Sequence, residues 1–267
     1  MYASLTIRKN SKVSGKIVGT HQRFDKLALK MLNHLKPKRA KFPTQKDILY
    51  FEGSNGPDGL KRKSPGMDEL SHFVDPKNDD GKLFAIITMH QQNLKESLKE
   101  NNKNRAAFEA AWLAHAVVDG LTPAHHYPYI DEVEDLMSGK DFVKLFGSEI
   151  KGIMRGDTLI EFLKHNWLYW GAGGLMSKHA GYEYGVAIAI ASSSARAILP
   201  ELTAKDLEDI DLKKEFYATL NKINEKKIYS RFLKQGWTTD LALETQKFLA
   251  PEIIRMIVLA WASALEL

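Results

Sequence analysis

Apolar residues recur along this chain at intervals of three and four, the spacing of helices with one buried face. In the segment 20–35, for example, Phe24, Ala28 and Leu35 lie on one stripe. No segment alternates apolar and polar residues long enough to predict a strand. The pattern therefore predicts an all-α fold, built as a single multi-helical domain over residues 1–267. The predicted helices are Thr20–Leu35, a short one near Gln45–Phe51, Lys82–Glu100, Asn104–Gly120, Asp131–Phe146, Thr158–Gly171, Ser177–Leu199, Leu212–Lys234 and Thr238–Leu265, the last interrupted before Pro251.

Residues 37–81 break this helical pattern, because they are rich in glycine, proline, aspartate and lysine. They have room for only the one short helix. Long irregular loops inside a compact domain usually carry a function. This segment is therefore the first place where we expect a site.

The composition narrows the chemistry that such a site can use. The chain contains no cysteine, which excludes a disulfide scaffold, a thiol nucleophile, an iron–sulfur cluster and a cysteine zinc site. A bound metal would be held by histidine, aspartate and glutamate, and nine histidines are present. The net charge of +5 permits an anionic partner such as nucleic acid or a phospholipid surface.

Two further patterns concern localisation. The first residues, MYASLTIRKNSKV, lack the apolar stretch of a secretory signal, and no apolar run has the length of a membrane span. We therefore expect a soluble protein that is cytoplasmic by default, and secreted if a leader has been removed.

The strongest chemical signal lies in AWLAHAVVDGLTPAHHYPY. His115 and Asp119 are four residues apart, so both lie on one face of a helix, and that face is otherwise apolar. His125 follows six residues after Asp119, so the pattern His-x3-Asp-x5-His offers three ligands for a divalent cation. The alternative is a hydrogen-bonded His–Asp pair in a helical core, with His125 at the surface.

A second helix repeats this spacing with His179 and Glu183. Imidazole and carboxylate ligands suit zinc, although this pair could also be an ordinary surface pair. In the long loop, Asp58 and His72 are further candidates, and either could be a plain loop residue.

Together these motifs resemble the zinc-dependent phospholipases C of bacteria, which are related to the S1/P1 nucleases. The segment SHFVDP around His72 is similar to the family's sequence around a zinc-binding histidine. The motif from His115 to His125, with Pro123 two residues before the second histidine, is similar to the central motif of the family. His179-x3-Glu183 is similar to the last motif, and the glutamate favours the lipase branch over the nucleases. His21 stands where the family has its earliest zinc ligand.

The resemblance implies a phospholipase C/P1 nuclease type of fold and a cluster of two or three zinc ions. One ion would be held by Asp58, His72, His115 and Asp119, and a second by His125, His179 and Glu183. His21 would join Asp119, as a bridging ligand, on a third. In the family an N-terminal tryptophan completes this third site, and this chain has none at the matching distance. The resemblance also implies a helical insertion at about 130–174.

Three functions are compatible with these residues. The first is hydrolysis of a phospholipid by metal-activated water, in which Asp58 is either the general base or purely a ligand. The family residues that recognise choline are replaced by Gly59 and Glu69, so the headgroup is left open. The second is an S1/P1-like nuclease or another phosphoester hydrolase, with Tyr127, Tyr129, Trp167 and Trp170 available to stack on bases. The third is a non-catalytic helical protein that binds metal.

Overall fold

The computed structural model describes residues 19–52, 55–58, 74–77, 81–126 and 158–265. These residues are predominantly helical, and no strand occurs among them, which confirms the predicted all-α class. None of the described helices is long and apolar enough to cross a membrane. The α-helices are α1 Thr20–Leu35, α2 Gln45–Tyr50, α3 Lys82–Lys99, α4 Lys103–Leu121, α5 Leu159–Trp170, α6 Leu175–Ala191, α7 Ala195–Ile198, α8 Leu212–Glu225, α9 Ile228–Gln235, α10 Thr239–Glu244 and α11 Ala250–Ala262, with 3-10 turns at Pro123–His125 and Ala204–Leu207.

Helix α4 lies at the centre of the fold and contacts α1, α2, α3, α8 and α11. It begins at Asn102, whose side chain accepts a hydrogen bond from the backbone N–H of Arg105. Its many alanines are buried and let neighbouring helices approach closely. Gly120 continues this close packing, because a Cβ there would lie 2.6 Å from Leu83 Cδ2 and 3.0 Å from Phe216 Cζ. The C-terminal half of α4, with His115 and Asp119, is therefore held in the core.

Helix α6 is fixed by the indole of Trp237. The indole N–H donates to the backbone carbonyl of Gly181, 3.0 Å away, and its ring stacks against Tyr182 at 5.4 Å between centroids. Gly185 makes room for this ring, because a Cβ there would lie 1.8 Å from it. These contacts set the position of the face of α6 that carries His179 and Glu183.

Two helices that were predicted as continuous are divided in the structure. The helix predicted over Ser177–Leu199 is interrupted at residues 192–194, where Ser194 caps α7. The helix over Leu212–Lys234 divides at Lys227, which has a φ of 51° and redirects the chain so that α9 buries its own first residues. No glycine or proline signals that turn.

The helix is not broken before Pro251, so this part of the prediction is wrong. The chain passes instead through a π-helical turn, Thr245–Leu249, into α11, and the flanking residues keep helical angles. Pro251 then lies in the first turn of α11, where its missing N–H is tolerated. The helix predicted over Asp131–Phe146, and with it most of the expected insertion at 130–174, lies outside the described residues.

Candidate metal centre

Six of the eight residues predicted for the site are brought together by three helices and a turn. His21 lies on α1, His115 and Asp119 on α4, His125 on the 3-10 turn that follows α4, and His179 and Glu183 on α6. The histidines and Asp119 are all buried. Asp58 is also buried and approaches the same centre, while His72 lies outside the described residues.

Asp119 is the midpoint of the centre, because its carboxylate faces three imidazoles. Its Oδ1 lies 3.3 Å from Nε2 of His21 and 3.7 Å from Nδ1 of His125, and its Oδ2 lies 3.2 Å from Nε2 of His115. The sequence pattern predicted His115 and His125 as ligands together with Asp119, and the resemblance implied that His21 joins Asp119. A carboxylate with ring nitrogens on both oxygens has the arrangement of a bridging ligand.

The first side of the centre gathers around His115. Its Nε2 lies 3.8 Å from Oδ1 of Asp58 in addition to its contact with Asp119. Its other ring nitrogen, Nδ1, lies 2.9 Å from Oε1 of Glu52. The imidazole of His21 stacks on that of His115, with the ring centroids 4.2 Å apart. His21, Glu52 and His115 form one of two groups among the described residues whose ligand atoms are close enough to share an ion.

The second side of the centre consists of His125, His179 and Glu183, and these residues form the other such group. The Nε2 atoms of both histidines converge on Oε1 of Glu183, at 3.2 and 2.9 Å. The two rings stack with centroids 5.1 Å apart. The ligand atoms of these two imidazoles and one carboxylate lie within 4.8 Å of one another, so the group could hold a metal ion.

Sequence reasoning missed Glu52. It follows α2 directly and is separated from His115 by 63 residues, so no local spacing relates the two. The only signal was its position in the loop 37–81. A carboxylate on the second ring nitrogen of a metal-binding histidine fixes the tautomer and the orientation of the ring.

The electrostatics of the centre favour an ionised Asp119. Burial alone raises the pKa of this carboxyl, but the imidazoles of His115 and His125 hold it well below its usual range. Burial lowers the pKa of His115. The carboxylates of Asp119 and Glu52 outweigh this effect and hold the pKa of His115 well above its usual value. Without a cation, the ion pairing within the centre depends on a buried, protonated histidine.

A divalent cation fits this donor set. Among the described residues, His21 Nδ1, Glu52 Oε2 and Glu183 Oε2 are buried atoms with no hydrogen-bond partner. Leaving such atoms unsatisfied costs free energy, whereas coordination satisfies both imidazole and carboxylate lone pairs. The donors are all nitrogen and oxygen, which suits zinc and also harder divalent ions.

Two other histidines lie outside this donor set. His126 Nε2 donates to the backbone carbonyl of Gly120, 2.7 Å away, and burial lowers the pKa of His126 to about 4, so its ring is neutral. His90 is buried, with its Nδ1 2.6 Å from Oε2 of Glu109. Tyr127 and Tyr129 lie outside the described residues.

A small cleft gives access to the centre. It is lined by His21, Asp119 and Glu183 together with Thr20, Thr122 and Val186. Residues from both sides of the centre therefore line one small opening.

Comparisons with protein-family models, with curated proteins and with solved structures found no match to this chain.

Proposed function

We propose that this chain is a zinc-dependent phosphodiesterase that hydrolyses a phospholipid in the manner of phospholipase C, and that it belongs to the phospholipase C/P1 nuclease family. The observation that carries the proposal is the convergence of two ligand groups on opposite sides of Asp119, at one cleft. Adjacent divalent ions that share a carboxylate are typical of enzymes that cleave phosphate esters.

The ligand assignment follows the two sides of the centre. Asp58, His115 and Asp119, with His72, would hold one ion, and His125, His179 and Glu183 would hold the second. Bound zinc ions would supply an activated water molecule and neutralise the charge of the phosphodiester.

Contacts among the protein's side chains orient the ligands of the centre. Glu52 fixes the ring of His115, and Asp119 ties His115 to His21 and His125. Asp58 lies at the edge of the first group, 3.8 Å from His115 Nε2. From there its carboxylate can accept a proton from the attacking water, or act as a ligand only.

A surface feature favours a lipid substrate. On α5 the residues Ile160, Leu163 and Trp167 lie on one helical stripe and are 79, 58 and 69% exposed. Helix α5 packs against α6, which carries His179 and Glu183. An exposed apolar stripe with tryptophan is typical of helices that lie on a lipid surface. This stripe would place the cleft at a membrane that contains the substrate.

A nuclease is the second candidate, and it is favoured by the exposed indoles of Trp167 and Trp170. Exposed aromatic rings can stack on the bases of a single strand. The net charge of +5 suits either polyanion.

The test compares substrates side by side. The zinc-reconstituted protein is assayed on vesicles of phosphatidylcholine, on vesicles of phosphatidylethanolamine and on single-stranded DNA. We expect release of a phosphorylated headgroup, its abolition by chelation, and a loss of at least about a hundredfold in Glu183→Gln. Glu109→Gln, which removes a buried carboxylate outside the centre, serves as the matched control and keeps the activity.

The other outcomes decide against the proposal. Cleavage of DNA alone would identify a nuclease. If nothing is cleaved but chelation lowers the melting temperature, the chain is a non-catalytic metal-binding protein. The role of α5 is tested by Trp167→Ala, which should slow hydrolysis of vesicles and leave hydrolysis of a monomeric short-chain phospholipid unchanged.

A further inference from the structure

The positive charge of this chain is concentrated on one helix and on the segment that follows it. Residues 20–46 contain eight lysines and arginines but a single acidic residue, Asp25, which is buried. The charge of this segment therefore exceeds the net charge of +5 of the whole chain, and the other residues together contain more acidic than basic side chains. Such an asymmetry indicates a polyanionic partner.

Five of these cations are exposed and form what we call the basic surface. Two of them lie one turn apart on α1, opposite its buried apolar face. The other three follow the end of α1, where the backbone N–H of Ala40 donates to the carbonyl of Pro37, 3.0 Å away, and closes a turn. The basic surface consists of Lys26, Lys30, Lys38, Arg39 and Lys41.

The charge of the basic surface is not neutralised within the fold. Among the residues that the structure describes, no carboxylate forms an ion pair with any of its five cations. Other cations of the fold are paired, as Lys222 is with Glu252 and Arg255 with Glu215. The basic surface is therefore available to an anionic partner.

The composition of the basic surface favours a lipid bilayer over nucleic acid. Residues 20–46 contain only two aromatic rings apart from histidine; Phe24 is buried, and Phe42 packs against Trp261. A single strand would find no exposed ring there on which its bases could stack. Four of the five cations are lysines, which act as point charges and suit the diffuse negative charge of a bilayer.

The position of α1 relates the basic surface to the cleft. Thr20, the first residue of α1, lines the cleft. Both α1 and α5 pack against α6, and α5 carries the exposed apolar stripe that includes Trp167. Binding at a lipid surface grows with buried apolar area and with attraction to anionic lipids, so the two features act together.

We propose that the basic surface binds bilayers that contain anionic phospholipids, and that the protein acts at negatively charged membranes. The inference rests on the proposed function and deepens it, because it names the charge of the lipid surface on which the substrate is presented. Anionic lipid then raises the rate on vesicles by concentrating the protein there, while the reaction of a monomeric substrate is unaffected.

The test measures sedimentation of the zinc-reconstituted protein with vesicles of phosphatidylcholine, with and without phosphatidylglycerol, at low and at high salt. We expect binding to require phosphatidylglycerol and to be lost at high salt, because salt screens the attraction. Replacing both Lys26 and Lys30 by glutamine should weaken binding about thirtyfold.

The matched control removes the same charge from another helix. It replaces Lys213 and Lys214 by glutamine, since both are exposed in the first turn of α8. This variant should bind as the wild-type protein does. Equal weakening in the two variants would overturn the proposal, because it would show that only the net charge matters.

Two further results would overturn the proposal. One is equal binding to vesicles with and without phosphatidylglycerol, and the other is binding to duplex DNA without binding to anionic vesicles. Sedimentation requires no turnover. A protein that binds anionic vesicles through the basic surface but cleaves no phosphodiester therefore refutes only the proposed function, whereas phospholipid hydrolysis that is indifferent to phosphatidylglycerol refutes only the inference.

Discussion

Gly185→Ala on α6 tests whether the packing of Trp237 positions the second side of the centre. An alanine Cβ would lie 1.8 Å from the indole, so the ring must leave its place. The displaced ring loses its contacts with Tyr182 and Phe232, each worth about 0.5–1.5 kcal/mol, and a hydrogen bond to Gly181 worth about 1 kcal/mol. Replacing a helical glycine returns about 1 kcal/mol. We therefore expect the free energy of unfolding to fall by about 1–3 kcal/mol.

Gly181→Ala is the matched control, one turn earlier on the same helix. A Cβ there would lie 3.7 Å from Phe232 Cζ, an ordinary contact, so this variant should be as stable as the wild-type protein or more stable. Urea unfolding of the chelated proteins measures both without a contribution from bound metal. If Gly185→Ala is as stable as Gly181→Ala, Trp237 does not fix α6 as described.

Three further predictions concern the centre itself. Asp119→Asn should remove at least one metal ion per chain and nearly all hydrolysis, because the carboxylate of Asp119 faces three imidazoles. Elemental analysis and a phosphodiesterase assay measure these two losses. Wild-type activity in the variant would contradict the bridging role. His90→Gln should lower the free energy of unfolding by about 1–3 kcal/mol, because the contact between His90 and Glu109 is lost. The metal content should not change. Loss of metal in this variant would mean that His90 is a ligand. Chelation should lower the melting temperature, and zinc should restore it. An ion at a hundred times its dissociation constant adds about 2.7 kcal/mol to the free energy of unfolding. An unchanged melting temperature would argue against a bound ion in the folded state.

The parts of the site that could be predicted depend on local spacing. His115 with Asp119, and His179 with Glu183, are four residues apart, and this spacing alone places each pair on one helix face. The structure adds that one member of each pair, Asp119 and Glu183, lines the same cleft.

Other parts depend on tertiary contacts. Glu52 reaches His115 only through the packing of α2 against α4, which no pattern in the sequence encodes.

The helix boundaries follow the same division. The bounds of α1 agree with the prediction, because the apolar stripe ends at Leu35 and Pro37 follows. The turn at Lys227 has a positive φ on a residue type that rarely adopts one, so composition did not signal it. The π-helical turn before Pro251 was likewise not predicted from the sequence pattern.

Elemental analysis of the purified, tag-free protein for zinc and other divalent metals tests the metal centre most directly. We predict at least two ions per chain. A metal content near zero that persists after reconstitution with zinc would contradict the metal centre and the phosphodiesterase proposed from it.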